Sequence, residues 1–448
     1  LSDEEIGELV GLGLQIESLF GGPMDIEWTL VGGSGEADFG TAKPSFSIVQ
    51  ARPITALPEP AAKVPDEWVL PQGTWVGMRN NIVELMVEPL TPLFATLGLN
   101  AVNTSMGRLL GSFFGTADLM PSEVIVLVNH YAYYNGSWSA GQLTRILLRS
   151  GSIMKRMFTG AVERWVDEGR PRYIAEVEAW RTADWQSLSS VELLGAVQDL
   201  AIAAIDAYGA LVSGLIPAAW ITEAVFTLSY DKLIKRKSDP EAATFLLGYD
   251  SAPIRAEKSL YDIAQWARER PGLLEYLVST PADRLAREFS HDEPVSGVSS
   301  QDWYEWVTRF RDHLGQFGHL IYGLDFANSV PADDPAPLLE TLKLFASGQG
   351  VNPHSRQQAA IGRREQAASQ VLERLKGQRR KLFTATLERA QRYAPLREDG
   401  LADIGLGYPL LRQMLLELGQ RLSSAGRISD PEDIYWLQQA ELEEAAPK

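Results

Sequence analysis

Cysteine is absent from all 448 residues. Disulfides, thiolate nucleophiles, zinc ribbons and cysteine-held iron–sulfur clusters are therefore excluded. Histidine is scarce: His130, His291, His313, His319 and His354 are the five. The six-residue step from His313 to His319 does not put them on one helical face, as a metal pair would need. Positive charge is short, because 41 Lys and Arg against 58 Asp and Glu leave a net charge of −17. That balance argues against a general nucleic-acid binder, which would need a broad basic face. A secretory leader is lacking too. Leu1-Ser2-Asp3-Glu4-Glu5 has neither a basic n-region nor a long apolar run, so we expect a cytoplasmic protein whose first helix is cut from a longer chain. The glycosylation sequons at Asn103 and Asn135 then carry no weight. Leu200–Thr222 is nearly uncharged, but Gly209, Gly214 and Pro217 break it. It reads as a buried core helix, and no membrane partner is expected. Walker, HExxH and EF-hand patterns are missing. Ser152-Ile153-Met154-Lys155 fits SxxK without its partner motifs, a chance match.

The remainder is ordinary globular material, 45% hydrophobic and 22% charged, enough for a sizeable core. Ser2 with Glu5 forms a capping box for a first helix, which Gly21-Gly22-Pro23 stops. Asp25 to Val31 alternates polar and apolar as a half-buried strand does, and Phe46 to Arg52 reads as its return strand. Pro58, Pro60, Pro65 and Pro71 make a stiff connector. Beyond it, apolar spacing predicts helix after helix, over about 91–112, 140–168, 171–182, 189–216, 218–237, 253–268, 271–278, 300–317, 336–347, 354–392 and 408–425. Short strands are expected near 123–128 and 130–134. The fold class is thus mainly α, with a small helix-plus-hairpin α/β piece in front.

Asp25-Ile26-Glu27-Trp28, together with Gln50-Ala51-Arg52-Pro53-Ile54-Thr55, resembles the end of the ATP-binding domain of the phosphoenolpyruvate-synthase and pyruvate-phosphate-dikinase group, an ATP-grasp-like fold. The resemblance implies that Glu27 and Gln50 hold Mg²⁺ on the nucleotide phosphates and that Arg52 contacts the phosphates. The chemistry suits those residue types, since hard oxygens ligate Mg²⁺ and a guanidinium forks onto phosphate. ATP and Mg²⁺ are the implied cofactors, and they need the family's upstream glycine-rich loop and lysine.

The stretch beyond the hairpin is not the (β/α)₈ barrel of phosphoenolpyruvate synthase, because the strand–helix alternation of a barrel is missing. The order instead resembles rifampicin phosphotransferase. Pro89-Leu90-Thr91-Pro92-Leu93 is similar to the opening of its helical substrate domain. Gly318-His319, Leu324-Asp325-Phe326 and Asp333-Asp334-Pro335 are similar to its Gly-His…Asp-Pro stretch, with Leu320 where the family has Arg. Leu410-Leu411-Arg412 and Asp430 to Leu437 are similar to its closing phrases. The resemblance implies an ATP-grasp-like part over 1–56, a linker over 57–72, a helical substrate-binding domain over 73–440, and a tail over 441–448 leading to a phosphohistidine domain. It implies an ATP-dependent phosphotransferase that relays phosphate through that mobile domain to a small-molecule hydroxyl acceptor. A non-catalytic binding module and a condensing enzyme on the same scaffold are the alternatives.

Within the substrate domain, residues 356–398 carry eleven Lys and Arg against four Asp and Glu. A solvated helix face is the plain reading. A docking face for a phosphorylated group is the functional one, with Arg389, Arg392 and Arg397 as candidates, Arg397 foremost. His319 is the candidate general base for the hydroxyl acceptor. The clusters Tyr131, Tyr133, Tyr134, Trp138 and Trp303, Tyr304, Trp306 read as core packing, or else as walls of a pocket for a large apolar ligand.

Overall fold

Eighteen residues at the start, Asp3–Phe20, form the first helix of a computed structural model that describes residues 3–20, 24–31, 45–53, 79, 82–115, 123–158, 161–291, 293–321 and 323–446. The chain divides into two units, Leu1–Glu67 and Trp68–Lys448. The Pro-rich connector expected over 57–72 lies outside the described residues.

In the first unit, strand β1 (Met24–Val31) pairs antiparallel with strand β2 (Ser45–Pro53). The register carries one irregularity: Glu27 faces Gln50, but Trp28 faces Ile48, so Val49 is an extra, bulged residue. The bulge matters because Phe46, Ile48, Gln50 and Arg52 share one parity. In an unbroken strand all four would line one face. One inserted residue switches the parity midway. Ile48 and Phe46 then join Ile26 and Leu30 in partial burial, with Trp28 edge-on to Phe46 at 5.2 Å, while Glu27, Val49 and Gln50 are exposed. Ile26 lies beside Gly13 of the first helix, which covers the apolar face.

The second unit is helical apart from one short hairpin, Ile125–Val128 with Tyr131–Tyr134. Its turn is Asn129-His130, both at positive φ (50° and 67°), the handedness that two-residue hairpins require. The largest core cluster surrounds the helix Ser190–Ala210, whose Leu193, Val197, Leu200 and Ala201 are fully buried. This helix is long and apolar enough to cross a membrane. Here it is packed on several sides, by Leu99–Phe114, Arg170–Thr182 and Tyr408–Ser424. Phe226, Tyr230, Phe245 and Phe383 form a four-ring cluster with centroids 4.9–6.0 Å apart, joining the helix Ile216–Leu233 to Gly377–Ile404. A further core holds the helices from Ala252–Arg268 to Ala336–Ala346.

Several elements differ from the sequence expectation. The helix expected over 354–392 is two helices, Pro353–Arg374 and Gly377–Ile404, broken where Gly377 takes φ +55°. The helix Ala282–His291 is an addition, although Ala282, Leu285, Ala286 and Phe289 repeat at helical spacing. The expected tail over 441–448 is in part ordered. Gln439–Ala445 is a helix with a capping box from Gln438 and Glu441, and Leu442 is fully buried in the main core.

Trp303 and Trp306 are fully buried and 5.0 Å apart, which makes them core rather than pocket wall. His313 sits with them, 2% exposed and stacked on Phe310 at 6.1 Å. Its Nδ1 lies 3.0 Å from the Ser259 hydroxyl. Burial pushes its pKa down to about 4, from 6.5. The folded state therefore binds fewer protons than the unfolded one below pH 6.5. The stability that goes with neutral His313 is complete above pH 6.5 and is lost as pH falls toward 4, by at most roughly 3 kcal/mol. His313→Gln should flatten that loss. Urea midpoints at pH 7 and pH 4.5 measure it, and equal acid sensitivity in both proteins would contradict it.

Candidate functional site

The candidate nucleotide element is the polar face of the first hairpin. Glu27 and Gln50 are direct cross-strand partners, and two residues on, Arg52 stands opposite Asp25. Opposed residues in an antiparallel pair hold their Cβ atoms ~5 Å apart, close enough for one cation to touch both side chains. Glu27 and Gln50 offer hard oxygens, a donor set that fits Mg²⁺ held by a few protein ligands and by substrate phosphates. Among the described residues no group of three or more His, Asp or Glu could hold a metal by itself. Asp25 stands in the same motif as Glu27, and the motif alone assigns it no role. Its register partner, Arg52, is what brings it to notice.

In the helical unit the scattered sequence phrases come together. Asp325, 7% exposed, accepts the Thr91 backbone N–H at 2.7 Å and the Thr91 hydroxyl at 2.8 Å. It also takes the Ala327 N–H at 3.0 Å. Arg412, 4% exposed, donates to the Asp333 carboxylate and to the Phe326 carbonyl, with its guanidinium 5.3 Å from the Tyr435 ring. The Tyr408 hydroxyl donates to the Leu324 carbonyl at 2.8 Å. The phrases near 91, 325, 333, 412 and 435 thus pin one irregular loop, 318–335, between the opening and closing helices. A buried loop must find partners for its backbone, and these side chains supply them.

His319 begins that loop. Gly405 lets it lie there, since a Cβ on Gly405 would fall 1.8 Å from the His319 carbonyl oxygen. Burial holds the His319 pKa below the usual histidine value, Asp403 pulls it back up, and Arg181 pushes it down. Asp403 is ion-paired with Arg170. The imidazole is therefore neutral at neutral pH, the form a general base needs. Arg397 lies on Gly377–Ile404, six residues before Asp403, or about 9 Å along the helix axis. Its guanidinium donates twice to Glu398 Oε1, at 2.9 and 2.7 Å. The charges that act on His319 are thus Asp403 and Arg181, and Arg397 is engaged elsewhere.

Much of the basic run is used internally. Arg356 pairs with Glu257 and Arg374 with Asp239, while Arg364 donates to the Leu247 carbonyl at 2.8 Å. Arg363, Arg379, Lys381, Arg389 and Arg392 are exposed and without an ion pair among the described residues. The Tyr131 cluster is half-buried, with Arg79 lying over Tyr131 at 5.1 Å and Tyr133 at 5.6 Å.

Residues 1–68 match the family described as pyruvate phosphate dikinase, AMP/ATP-binding domain, and residues 207–398 match the rifampicin phosphotransferase fourth domain. The rifampicin phosphotransferase of Bacillus subtilis (strain 168) is 23% identical, aligned over 99% of this chain and 51% of its own length. In these two segments the chain is similar to proteins of the phosphoenolpyruvate synthase and pyruvate phosphate dikinase group. A second relative, the rifampicin phosphotransferase of Streptomyces sviceus, is 23% identical over 98% of the chain and 50% of its own length. The phosphoenolpyruvate synthase of Aeropyrum pernix is 37% identical over 78 residues, 16% of the chain and 9% of that protein. The chain spans about half the length of the rifampicin phosphotransferases it matches.

Proposed function

We propose that this chain contributes the last part of an ATP-binding domain and the acceptor-holding helical domain of an ATP-dependent phosphotransferase. The observation that carries the reading is the hairpin register. It opposes Glu27 to Gln50 and Asp25 to Arg52 within a segment that matches an AMP/ATP-binding domain. When bound, Mg²⁺ supplies charge neutralisation for the nucleotide phosphates. Glu27 and Gln50 would hold it, and Arg52 would add a positive charge for a phosphate oxygen. In the helical unit, neutral His319 takes the proton of an acceptor hydroxyl as that oxygen attacks the phosphoryl group of the carrier phosphohistidine, whose P–N bond breaks to release the carrier imidazole. Asp403, tied to Arg170, stabilises the imidazolium that results, and Arg397 turns from Glu398 toward the transferring phosphoryl group. The carrier between the ATP site and the acceptor is a histidine on a mobile domain outside this chain, because one fixed imidazole cannot visit both.

The test uses ATP labelled in both its β and γ phosphates. The chain alone should put no label on any of its five histidines. Adding the family's upstream ATP-binding part and its phosphohistidine domain in trans should label the added histidine, and an acceptor only when this chain is also present. Label on His130, His291, His313, His319 or His354 with the chain alone would overturn the relay.

A further inference from the structure

A cleft of about 660 Å³ opens between the helices Leu99–Phe114, Arg170–Thr182 and Ser190–Ala210. That volume suits a small organic molecule. Its floor is made of small side chains, Gly169, Ala203, Ala207 and Ala210, which leave the space empty. Ser105 also lines it. Ser105 is 5% exposed, and its hydroxyl has no hydrogen-bond partner among the described residues.

The rim carries both signs of charge. Arg108 is occupied by Asp206 at 2.7 Å, and Glu176 by the Trp180 indole N–H at 3.0 Å. Arg172, Glu168 and Asp199 have no partner among the described residues. One lip is the π-helical segment Arg164–Gly169, and a second such segment, Leu211–Leu215, begins directly after Ala210. Such widened turns are kept mostly where a site needs them.

We propose that this cleft binds a small zwitterion, with its ammonium end toward Glu168 and Asp199, its anionic end toward Arg172, and a polar group on the Ser105 hydroxyl. Two open carboxylates repel a dianion, and the open guanidinium repels a dication. One molecule carrying both ends satisfies all three, and a polar group on it can reach the Ser105 hydroxyl that lines the cleft. The assignment does not rest on phosphotransfer, and its test involves no ATP.

Three probes of one carbon count separate the cases by end-group charge: 5-aminovalerate (zwitterion), cadaverine (dication) and glutarate (dianion). Calorimetry on the 448-residue chain should show 5-aminovalerate binding at least about tenfold tighter than either of the others. Arg172→Glu, an exposed change, should weaken 5-aminovalerate about tenfold and turn the preference toward cadaverine. Ser105→Leu, which fills the floor, should abolish binding, and Ser105→Ala should weaken it while keeping the fold by circular dichroism. Absence of binding by all three probes would overturn the proposal. So would a preference for cadaverine or glutarate, or a Ser105→Leu protein that binds unchanged.

Discussion

Arg412→Leu should lower the unfolding free energy of the helical unit by about 2–4 kcal/mol, because it strands the buried Phe326 carbonyl and removes one member of a partly buried ion pair. Arg412 is 4% exposed, and it is the partner of both the Asp333 carboxylate and the Phe326 carbonyl. Leucine fills part of the volume but leaves the Phe326 carbonyl facing apolar surroundings, while the Asp333 carboxylate, its side chain 20% exposed, keeps part of its contact with water. Combining Arg412→Met with Asp333→Leu should recover part of the loss, because no half of the pair is then left alone. The bare Phe326 carbonyl would keep a residual cost of ~1–3 kcal/mol. Arg412→Lys should fall between, since an ammonium keeps the charge but not the planar fork that reaches two acceptors. Urea denaturation monitored by circular dichroism measures all three. A loss below about 1 kcal/mol for Arg412→Leu would show that the loop 318–335 is held by apolar packing, with Arg412 a bystander.

That network marks the limit of sequence legibility in this chain. The phrases around Thr91, Asp325, Asp333, Arg412 and Tyr435 are legible as strings, and they carry the family resemblance. Their mutual contacts span up to 234 positions of sequence, as from Thr91 to Asp325. No local pattern encodes contacts at that separation. They hold a loop in place, a structural reason for such phrases that requires no chemistry of their side chains. Helices with strong periodicity are legible, and so are both hairpins. The break at Gly377 is not, because the residues on either side keep helical spacing and a single positive φ decides it. The aromatic pair Trp303 and Trp306 leaves core and pocket both open until burial is known.

The bulge at Val49 is hidden for a similar reason. Phe46-Ser47-Ile48-Val49-Gln50-Ala51-Arg52 alternates well enough to pass for a regular strand, and the extra residue shows only against its partner. The cleft at Ser105 is hidden more thoroughly. Its lining comes from three helices, and in the sequence Ser105 is merely the last residue of a sequon.

On the proposed relay, Glu27→Gln in the full-length protein should slow loading of the carrier histidine from ATP on the order of 100-fold, the effect of removing one electrostatic contact at a phosphoryl-transfer site. The substitution keeps size and shape and removes one negative charge. A divalent cation that relied on that charge binds more weakly, so the Mg²⁺ concentration for half-maximal rate should rise along with the fall in rate. Gln50→Glu adds a charge across the strand from Glu27, its direct partner in the register. Like charges directly opposite destabilise a hairpin when nothing lies between them. The double exchange, Glu27→Gln with Gln50→Glu, restores one carboxylate and one amide at the same cross-strand pair. It should recover a large part of the rate if the pair acts as a unit on one cation. Rapid-quench measurement of labelled histidine across a Mg²⁺ titration reads both quantities, and the urea midpoint of the helical unit, which this change does not touch, should stay constant. A Glu27→Gln protein that loads at the parental rate with the parental Mg²⁺ requirement would remove Glu27 from the nucleotide site and leave the hairpin a surface element.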